Sequence, residues 1–201
     1  MKRILIVGGV AGGASAAARA RRLSEEAEIV MLEKGPYVSF ANCGLPYYLS
    51  RTIDEREKLM VTTPESLKEM LNIDARPNNE VVAIDREAKT VLVREHPSGR
   101  EYTEKYDKLV LSPGAEPIVP PLPGVDLEGV FILHNIPELD ALDAYVRAKQ
   151  VKRAVVIGGG FIGLEVAENL AETGIKVTIV EMLNQVMAPV DYEMAVEVHE
   201  H

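Results

Sequence analysis

The segment Ile4-Leu5-Ile6-Val7-Gly8-Gly9-Val10-Ala11-Gly12-Gly13 decides the fold, because the chain repeats it as Ala154-Val155-Val156-Ile157-Gly158-Gly159-Gly160-Phe161-Ile162-Gly163. Each copy opens with a continuous apolar run, which is typical of a buried parallel strand. Each copy then continues through a helical segment into a second apolar strand, and these second strands are Glu28–Leu32 and Lys176–Val180. The sequence therefore predicts two βαβ units.

The two glycine clusters indicate sites for dinucleotides. Glycines directly after a strand permit a tight turn and let backbone N–H groups approach a pyrophosphate, which the positive end of the following helix attracts. The second strands end in Glu33 and Glu181, where a carboxylate can accept hydrogen bonds from ribose hydroxyls. One such cluster is compatible with a turn that binds nothing, whereas two clusters with terminal acids favour dinucleotide sites. The second copy has the complete Gly158-x-Gly160-x-x-Gly163 spacing, and the first has Val10 at the middle position.

These units predict an α/β chain with two Rossmann-like dinucleotide-binding domains, both incomplete. We expect a first domain over residues 1–116, a linker with an entry helix over 117–150, and a second domain over 151–201. The proline-rich segment 117–124 cannot hold a helix and indicates the crossing between the domains. Because the last residues have the pattern of an interrupted helix, we expect a fragment of a longer enzyme. The other predicted elements are helices over 64–71 and 137–149, and strands over 80–85, 90–94 and 107–111.

Composition narrows the classes of function. The chain has 22 Lys+Arg against 31 Asp+Glu, a net charge of -9, which argues against a dedicated nucleic-acid binder. The uncharged run 4–18 is too short to cross a bilayer and is interrupted by glycines, so we expect neither a membrane span nor an export signal. A single cysteine excludes a disulfide-stapled fold and favours the cytoplasm. The four histidines do not cluster at ligand spacing, so no metal site is expected.

The single cysteine lies in the segment Ser39-Phe40-Ala41-Asn42-Cys43-Gly44-Leu45-Pro46-Tyr47-Tyr48-Leu49. Together with both glycine clusters and Leu111-Ser-Pro-Gly114, this segment resembles the single-cysteine branch of the FAD-dependent pyridine nucleotide-disulfide oxidoreductases. Within that branch it is similar to coenzyme A-disulfide reductases, NADH-dependent persulfide reductases and NADH oxidases. Tyr47 and Tyr48 stand where the two-cysteine enzymes of the wider family have their second cysteine, so an internal dithiol is not expected.

The resemblance implies that electrons pass from NAD(P)H through FAD to Cys43 and on to CoA-disulfide or a small persulfide. A lone thiol needs its thiolate form for this chemistry, and it forms a mixed disulfide with the substrate. Three alternatives stay open. Cys43 can be a buried and inert thiol; it can cycle through a sulfenate in an NADH oxidase that reduces oxygen; or the chain can be a flavin-binding fragment without turnover. The resemblance further implies a small-molecule substrate and a homodimeric parent enzyme.

The resemblance also assigns site residues. Those expected at FAD are Gly8, Gly9, Val10, Ala11, Gly12, Gly13, Glu33, Lys34, Asn42, Val82, Ser112, Pro113 and Gly114. Those expected at NAD(P)H are Gly158, Gly160, Phe161, Ile162, Gly163, Glu165 and Glu181. Those expected along the path of coenzyme A are Ser15, Arg19, Arg22, Ser39 and Asn42. Because a carboxylate accepts from a free 2′-hydroxyl and repels a 2′-phosphate, Glu181 favours NADH over NADPH.

Overall fold

A computed structural model describes residues 2–200 of the chain. Its Cα positions divide into two compact units, one made of Met1–Ala41 with Met60–Glu116 and the other of Asn42–Leu59 with Pro117–His201. The elements are, in chain order, β1 (Arg3–Val7), α1 (Ala11–Leu23), β2 (Glu28–Leu32), α2 (Leu45–Leu49), α3 (Pro64–Leu71), β3 (Ile73–Arg76), β4 (Asn79–Asp85), β5 (Thr90–Glu95), β6 (Glu101–Lys105), β7 (Lys108–Leu111), α4 (Ile136–Ala148), β8 (Arg153–Ile157), α5 (Phe161–Glu172), β9 (Lys176–Val180) and α6 (Tyr192–His199).

The first unit is built on a parallel sheet of four strands in the order β3-β2-β1-β7. On one face the helices α1 and α3 cover a buried cluster that includes Ile6, Ala17 and Met31. On the other face, a second buried cluster contains Leu5 of β1 together with Val30 and Leu32 of β2 and Val91 and Val93 of β5. The parallel sheet is therefore covered on both sides, as its continuous apolar strands require.

The strands β4, β5 and β6 form an antiparallel sheet, in that order, within the same unit. The register between β4 and β5 shifts between Val81 and Ala83, so Val82 lies in a bulge of the ladder. A bulge leaves its extra residue without ladder hydrogen bonds. Val82 accordingly has no partner residue in the register between β4 and β5.

The second unit contains the repeated βαβ motif with a sheet of two parallel strands, β8 and β9. Helix α5 packs against both strands, and α2 packs against α5 and α4. The other face of this sheet is exposed: Val155 retains 65% of its accessible surface and Ile157 retains 73%, whereas Leu5, the repeat equivalent of Val155, has 0%. The two copies of the motif thus have the same arrangement of strands and helix but differ in the residues that cover their sheets.

The structure confirms the predicted α/β fold with two Rossmann-like βαβ units. The strands β2 and β9 and the helix α3 begin and end where the sequence predicts, and the other predicted elements agree to within one residue at each end. Residues 112–122 contain no helix or strand, as expected for the proline-rich segment. The strands β3 and β6 and the helix α2 were not predicted. The assignment of domains to particular ligands stays a prediction.

Candidate functional site

The first glycine loop is closed by contacts that only glycine permits. Gly8 has a φ of +94°, and a Cβ on it would lie 1.9 Å from the carbonyl oxygen of Ser112. A Cβ on Gly13 would lie 1.7 Å from the carbonyl oxygen of Gly8. Because these distances are far below van der Waals contact, the turn and the packing of α1 against it require both glycines. Helix α1 begins directly after this turn, at Ala11, so the N–H groups of its first turn have no intrahelical acceptor.

The second loop repeats this geometry. Gly158 has a φ of +105°, and a Cβ on Gly163 would lie 2.1 Å from the carbonyl oxygen of Gly158. Gly160 differs, because a Cβ placed on it meets no atom within 4 Å. The fold itself does not need a glycine at position 160, and the space above it lies at the start of α5, where an anionic ligand is favoured.

Both strand-end acids bind the glycine loop of their own unit. Glu33 accepts hydrogen bonds from the backbone N–H of Gly9 and of Gly35, both at 2.7 Å. Glu181 accepts from the N–H of Gly159 at 2.6 Å and of Leu183 at 2.8 Å. These backbone donors, Leu183 first, lower the pKa of Glu181 below its usual range. Since two carboxylate oxygens offer about four acceptor sites, each acid can hold its loop and still accept from a ribose. Sequence reasoning predicted the ribose role and missed the loop contact.

Asn42, which is also expected at FAD, belongs to the second unit, whereas the other residues expected there fall into two places in the first unit. The backbone N–H of Ser112 donates to Val7 at 2.7 Å, and the Ser112 hydroxyl lies against Gly12, where a Cβ would approach it to 2.9 Å. This brings the 112–114 segment onto the glycine loop. Lys34 is exposed and forms an ion pair with Glu80 at 3.5 Å. Val82 lies at the bulge described above.

Cys43 lies in a short helical turn directly before α2, and its side chain is exposed. The structure therefore does not agree with the alternative in which Cys43 is a buried and inert thiol. The chain after it is held within the second unit by polar contacts: the Ser50 hydroxyl donates to the buried Asn169 at 2.6 Å, and Arg51 donates to Asp143 at 2.5 Å. The Arg56 guanidinium also donates two hydrogen bonds to the Asp140 carboxylate, from Nε and from Nη2. These contacts fix the segment that carries the thiol.

A cavity of about 230 Å³ adjoins the thiol, and its lining residues are Asn42, Cys43, Leu45, Pro46, Leu133, His134, Ile162 and Glu165. Four of these, Asn42, Cys43, Ile162 and Glu165, were singled out from the sequence, and the structure brings them together. His134 was not. Its only sequence signal is its place directly before an Asn-x-x-Glu helix start, which does not by itself suggest chemistry. Phe161, next to Ile162, is exposed and does not line this cavity.

A cavity of about 250 Å³ in the first unit contains two of the residues expected to contact coenzyme A. Ser15 and Ser39 line it, together with hydroxyls from Thr62 and Ser66. Arg19 and Arg22 are exposed on α1 and do not line this cavity.

The neighbouring Arg21, which sequence reasoning missed, is buried and donates to the carbonyl oxygens of Ser24, Glu25, Leu71 and Asn72. The four-residue spacing from Gly13 and Ala17, both buried, could have placed Arg21 on the core face of α1.

Across residues 2–200, no helix is long and apolar enough to cross a membrane. Over the same part of the chain, no group of three or more His, Cys, Asp or Glu side chains is arranged to hold a metal ion.

Two βαβ units with closed glycine loops, and an exposed cysteine beside a cavity, are features of dinucleotide-dependent oxidoreductases. Comparison with known families agrees: residues 2–201 match the family model of pyridine nucleotide-disulphide oxidoreductases, and the chain belongs to this family.

Three individual relatives are similar to most or all of this chain. A coenzyme A disulfide reductase of Staphylococcus haemolyticus is 39% identical over 96% of this chain and 43% of its own length. The crystal structure of reduced Bacillus anthracis CoADR-RHD matches with a TM-score of 0.97 and 56% sequence identity. The match covers 100% of this chain and 36% of the Bacillus anthracis chain. A NAD-dependent persulfide reductase from A. fulgidus is 38% identical, with a TM-score of 0.93, over 99% of this chain and 38% of its own. The chain therefore spans less than half the length of each of these three relatives.

Proposed function

We propose that this chain is the dinucleotide-binding part of a flavoprotein that uses NADH to reduce a small disulfide or persulfide through Cys43. The overall reaction for a disulfide consumes one NADH and one proton and yields two thiols. The observation that carries the proposal is the exposed Cys43 in one cavity with Ile162, which lies within the second glycine motif, and Glu165 of α5. The coenzyme A-disulfide and persulfide activities of the relatives support this substrate class.

The residues of the first unit fit FAD. The loop Gly8–Gly13 offers backbone N–H groups at the start of α1, Glu33 can accept from a ribose, and the backbone at the Val82 bulge is assigned to the adenine. Ser112 and Pro113 approach the same loop at Gly8, Gly114 follows them in the chain, and Lys34 follows Glu33. When bound, the flavin supplies transfer of two electrons between the nicotinamide and sulfur.

The residues of the second unit fit NADH. The open space at Gly160 lets a pyrophosphate approach the start of α5. Glu181 can accept from a 2′-hydroxyl, and its lowered pKa keeps it ionised where it would repel a 2′-phosphate. Met182 and Leu183 follow it, and neither offers a positive charge. We therefore propose NADH rather than NADPH.

Cys43 performs the exchange with substrate. Its thiolate attacks one sulfur of the disulfide, the substrate S–S bond breaks, and one thiolate leaves while a mixed disulfide forms on Cys43. We propose coenzyme A as the thiol. Ser15 and Ser39 supply hydroxyls in one cavity, Asn42 adjoins Cys43, and Arg19 and Arg22 are exposed cations suited to phosphates. A soluble homodimer in the cytoplasm belongs to the same proposal.

The test begins with the intact mass and visible spectrum of the purified chain, before and after addition of FAD. CoA-disulfide is then added, and the mass is measured again for the wild type and for Cys43→Ser. We expect flavin absorbance in both proteins and a coenzyme A adduct only in the wild type. A chain that binds no FAD and forms no adduct would refute the proposal. In the parent enzyme, NADH consumption in air that is unchanged by CoA-disulfide would instead indicate an NADH oxidase.

A further inference from the structure

His134 shares the cavity of Cys43, although the two residues come from distant parts of the chain. His134 directly precedes Asn135, the N-cap of α4. The Asn135 side chain accepts from the Glu138 N–H at 3.0 Å, and the Glu138 carboxylate accepts from the His134 N–H at 2.7 Å. This reciprocal capping arrangement fixes the backbone at the helix start. The position of His134 on the cavity wall is therefore set by the fold.

The chemistry of the cavity makes this histidine notable. Apart from Cys43, the ionisable side chains that line it are His134 and Glu165, and most of the other lining residues are apolar. No metal-binding arrangement involves them within residues 2–200. An imidazole is the side chain that ordinarily gives and takes protons near neutral pH. The cavity that holds Cys43 therefore also contains a histidine.

We propose that His134 is the proton donor to the sulfur that leaves when Cys43 attacks a disulfide. The inference rests on the exchange reaction proposed above. A bond forms between the Cys43 Sγ and the nearer substrate sulfur, and the bond between the two substrate sulfurs breaks. The electron pair of the broken bond goes to the departing sulfur, and the proton of the His134 imidazolium neutralises it as a thiol. Because displacement at sulfur is in line, the departing sulfur lies away from Cys43, where a donor from another part of the cavity wall can reach it.

The test uses two disulfides that differ in the need for a proton. The thiolate released from 5,5′-dithiobis(2-nitrobenzoic acid) is stabilised by its aromatic ring, whereas 2-hydroxyethyl disulfide releases a basic alkyl thiolate, which leaves slowly unless it is protonated. Rates of adduct formation at Cys43 are measured for the wild type, His134→Gln and His134→Ala. The control is His96→Gln, which changes a histidine that does not line the cavity.

We expect His134→Gln to slow the reaction with 2-hydroxyethyl disulfide by about 100-fold and to leave the aromatic disulfide nearly unaffected. Added imidazole should restore part of the rate in His134→Ala, since free imidazole can occupy the vacated space and donate the proton. Equal slowing with both reagents, or no slowing with either, would overturn the inference. A wild-type Cys43 that reacts with neither reagent would instead overturn the proposed function. Far-ultraviolet circular dichroism checks that each variant is folded.

Discussion

The two copies of the βαβ motif should differ sharply in how much each strand contributes to stability. Leu5 and Val155 are equivalent in the repeat, and both belong to the first strand of their motif. Leu5 is fully buried in a cluster with Val30, Leu32, Val91 and Val93, whereas Val155 retains 65% of its accessible surface. Substitution of each residue by alanine therefore probes equivalent backbone positions in two different environments.

The expected magnitudes follow from these burials. Leu5→Ala removes buried carbon atoms and leaves a cavity among closely packed neighbours, so the free energy of unfolding of its unit should fall by about 3 to 4 kcal/mol. Val155→Ala removes two methyl groups of which about one third of the surface is covered, so the loss should be about 0.5 kcal/mol. Val30→Ala, at 1% exposure, is the control of matched residue type and should cost about 2 to 3 kcal/mol.

The assay is urea unfolding with pulsed hydrogen exchange read by mass spectrometry, because peptides from each unit then report on that unit alone. The unfolding midpoint of the first unit should shift strongly in Leu5→Ala and Val30→Ala. The midpoint of the second unit should scarcely move in Val155→Ala. Losses of similar size for Leu5→Ala and Val155→Ala would refute the reasoning, since they would show that the face of β8 is covered in solution.

Three further predictions concern the loops and the buried arginine. Gly160→Ala should leave the unfolding midpoint unchanged but weaken NADH binding at least about tenfold by fluorescence titration, whereas Gly163→Ala should destabilise its unit, because its Cβ would lie 2.1 Å from the carbonyl oxygen of Gly158. Arg21→Met should lower stability by about 3 kcal/mol in urea unfolding, since four backbone carbonyl oxygens lose a charged donor; a loss below about 1 kcal/mol would contradict this. The pKa of Glu181 is lowered in the folded state, so its stabilising contribution is complete above its ordinary pKa and is lost as the pH falls through the lowered value. Thermal unfolding of Glu181→Gln should therefore start below that of the wild type at pH 7, and the gap should narrow as the pH falls below the ordinary pKa of a glutamate; a gap that does not depend on pH would contradict the assignment.

The parts of the fold that the sequence predicts are those whose signals are local. A continuous apolar run followed by glycines predicts β1 and β8 without any knowledge of the strands beside them. Pro64, at the first position of α3, likewise indicates the start of a helix. The strands β3 and β6 have no such signal. Ile73–Arg76 has only one fully buried residue, and Glu101–Lys105 is mostly charged. Both are strands because a neighbouring strand offers hydrogen bonds, which a single segment does not reveal.

The residues of the candidate site divide in the same way, into those predicted from the local sequence and those that only the folded chain reveals. The glycine loops were predicted from residue type and spacing, and Cys43 and Glu165 were predicted from the resemblance of their segments to a known family. His134 could not be predicted, because its relevance arises only when the start of α4 and the segment before α2 line one cavity. The contact of Glu33 with Gly9 was missed for a related reason: residue type suggests a ligand for the carboxylate, whereas its geometry also gives it a bond to its own loop.

The two loops separate what the fold needs from what a ligand needs. Positions 8 and 158 require glycine for their positive φ, and positions 13 and 163 require it for close packing, in both copies. The middle position carries Val10 in one loop and Gly160 in the other. Since a Cβ at position 160 meets no atom within 4 Å and its φ is −81°, the fold would accept a side chain there, as it accepts Val10. The fold therefore does not account for the glycine at position 160, and this glycine supports the proposed approach of a pyrophosphate to the start of α5.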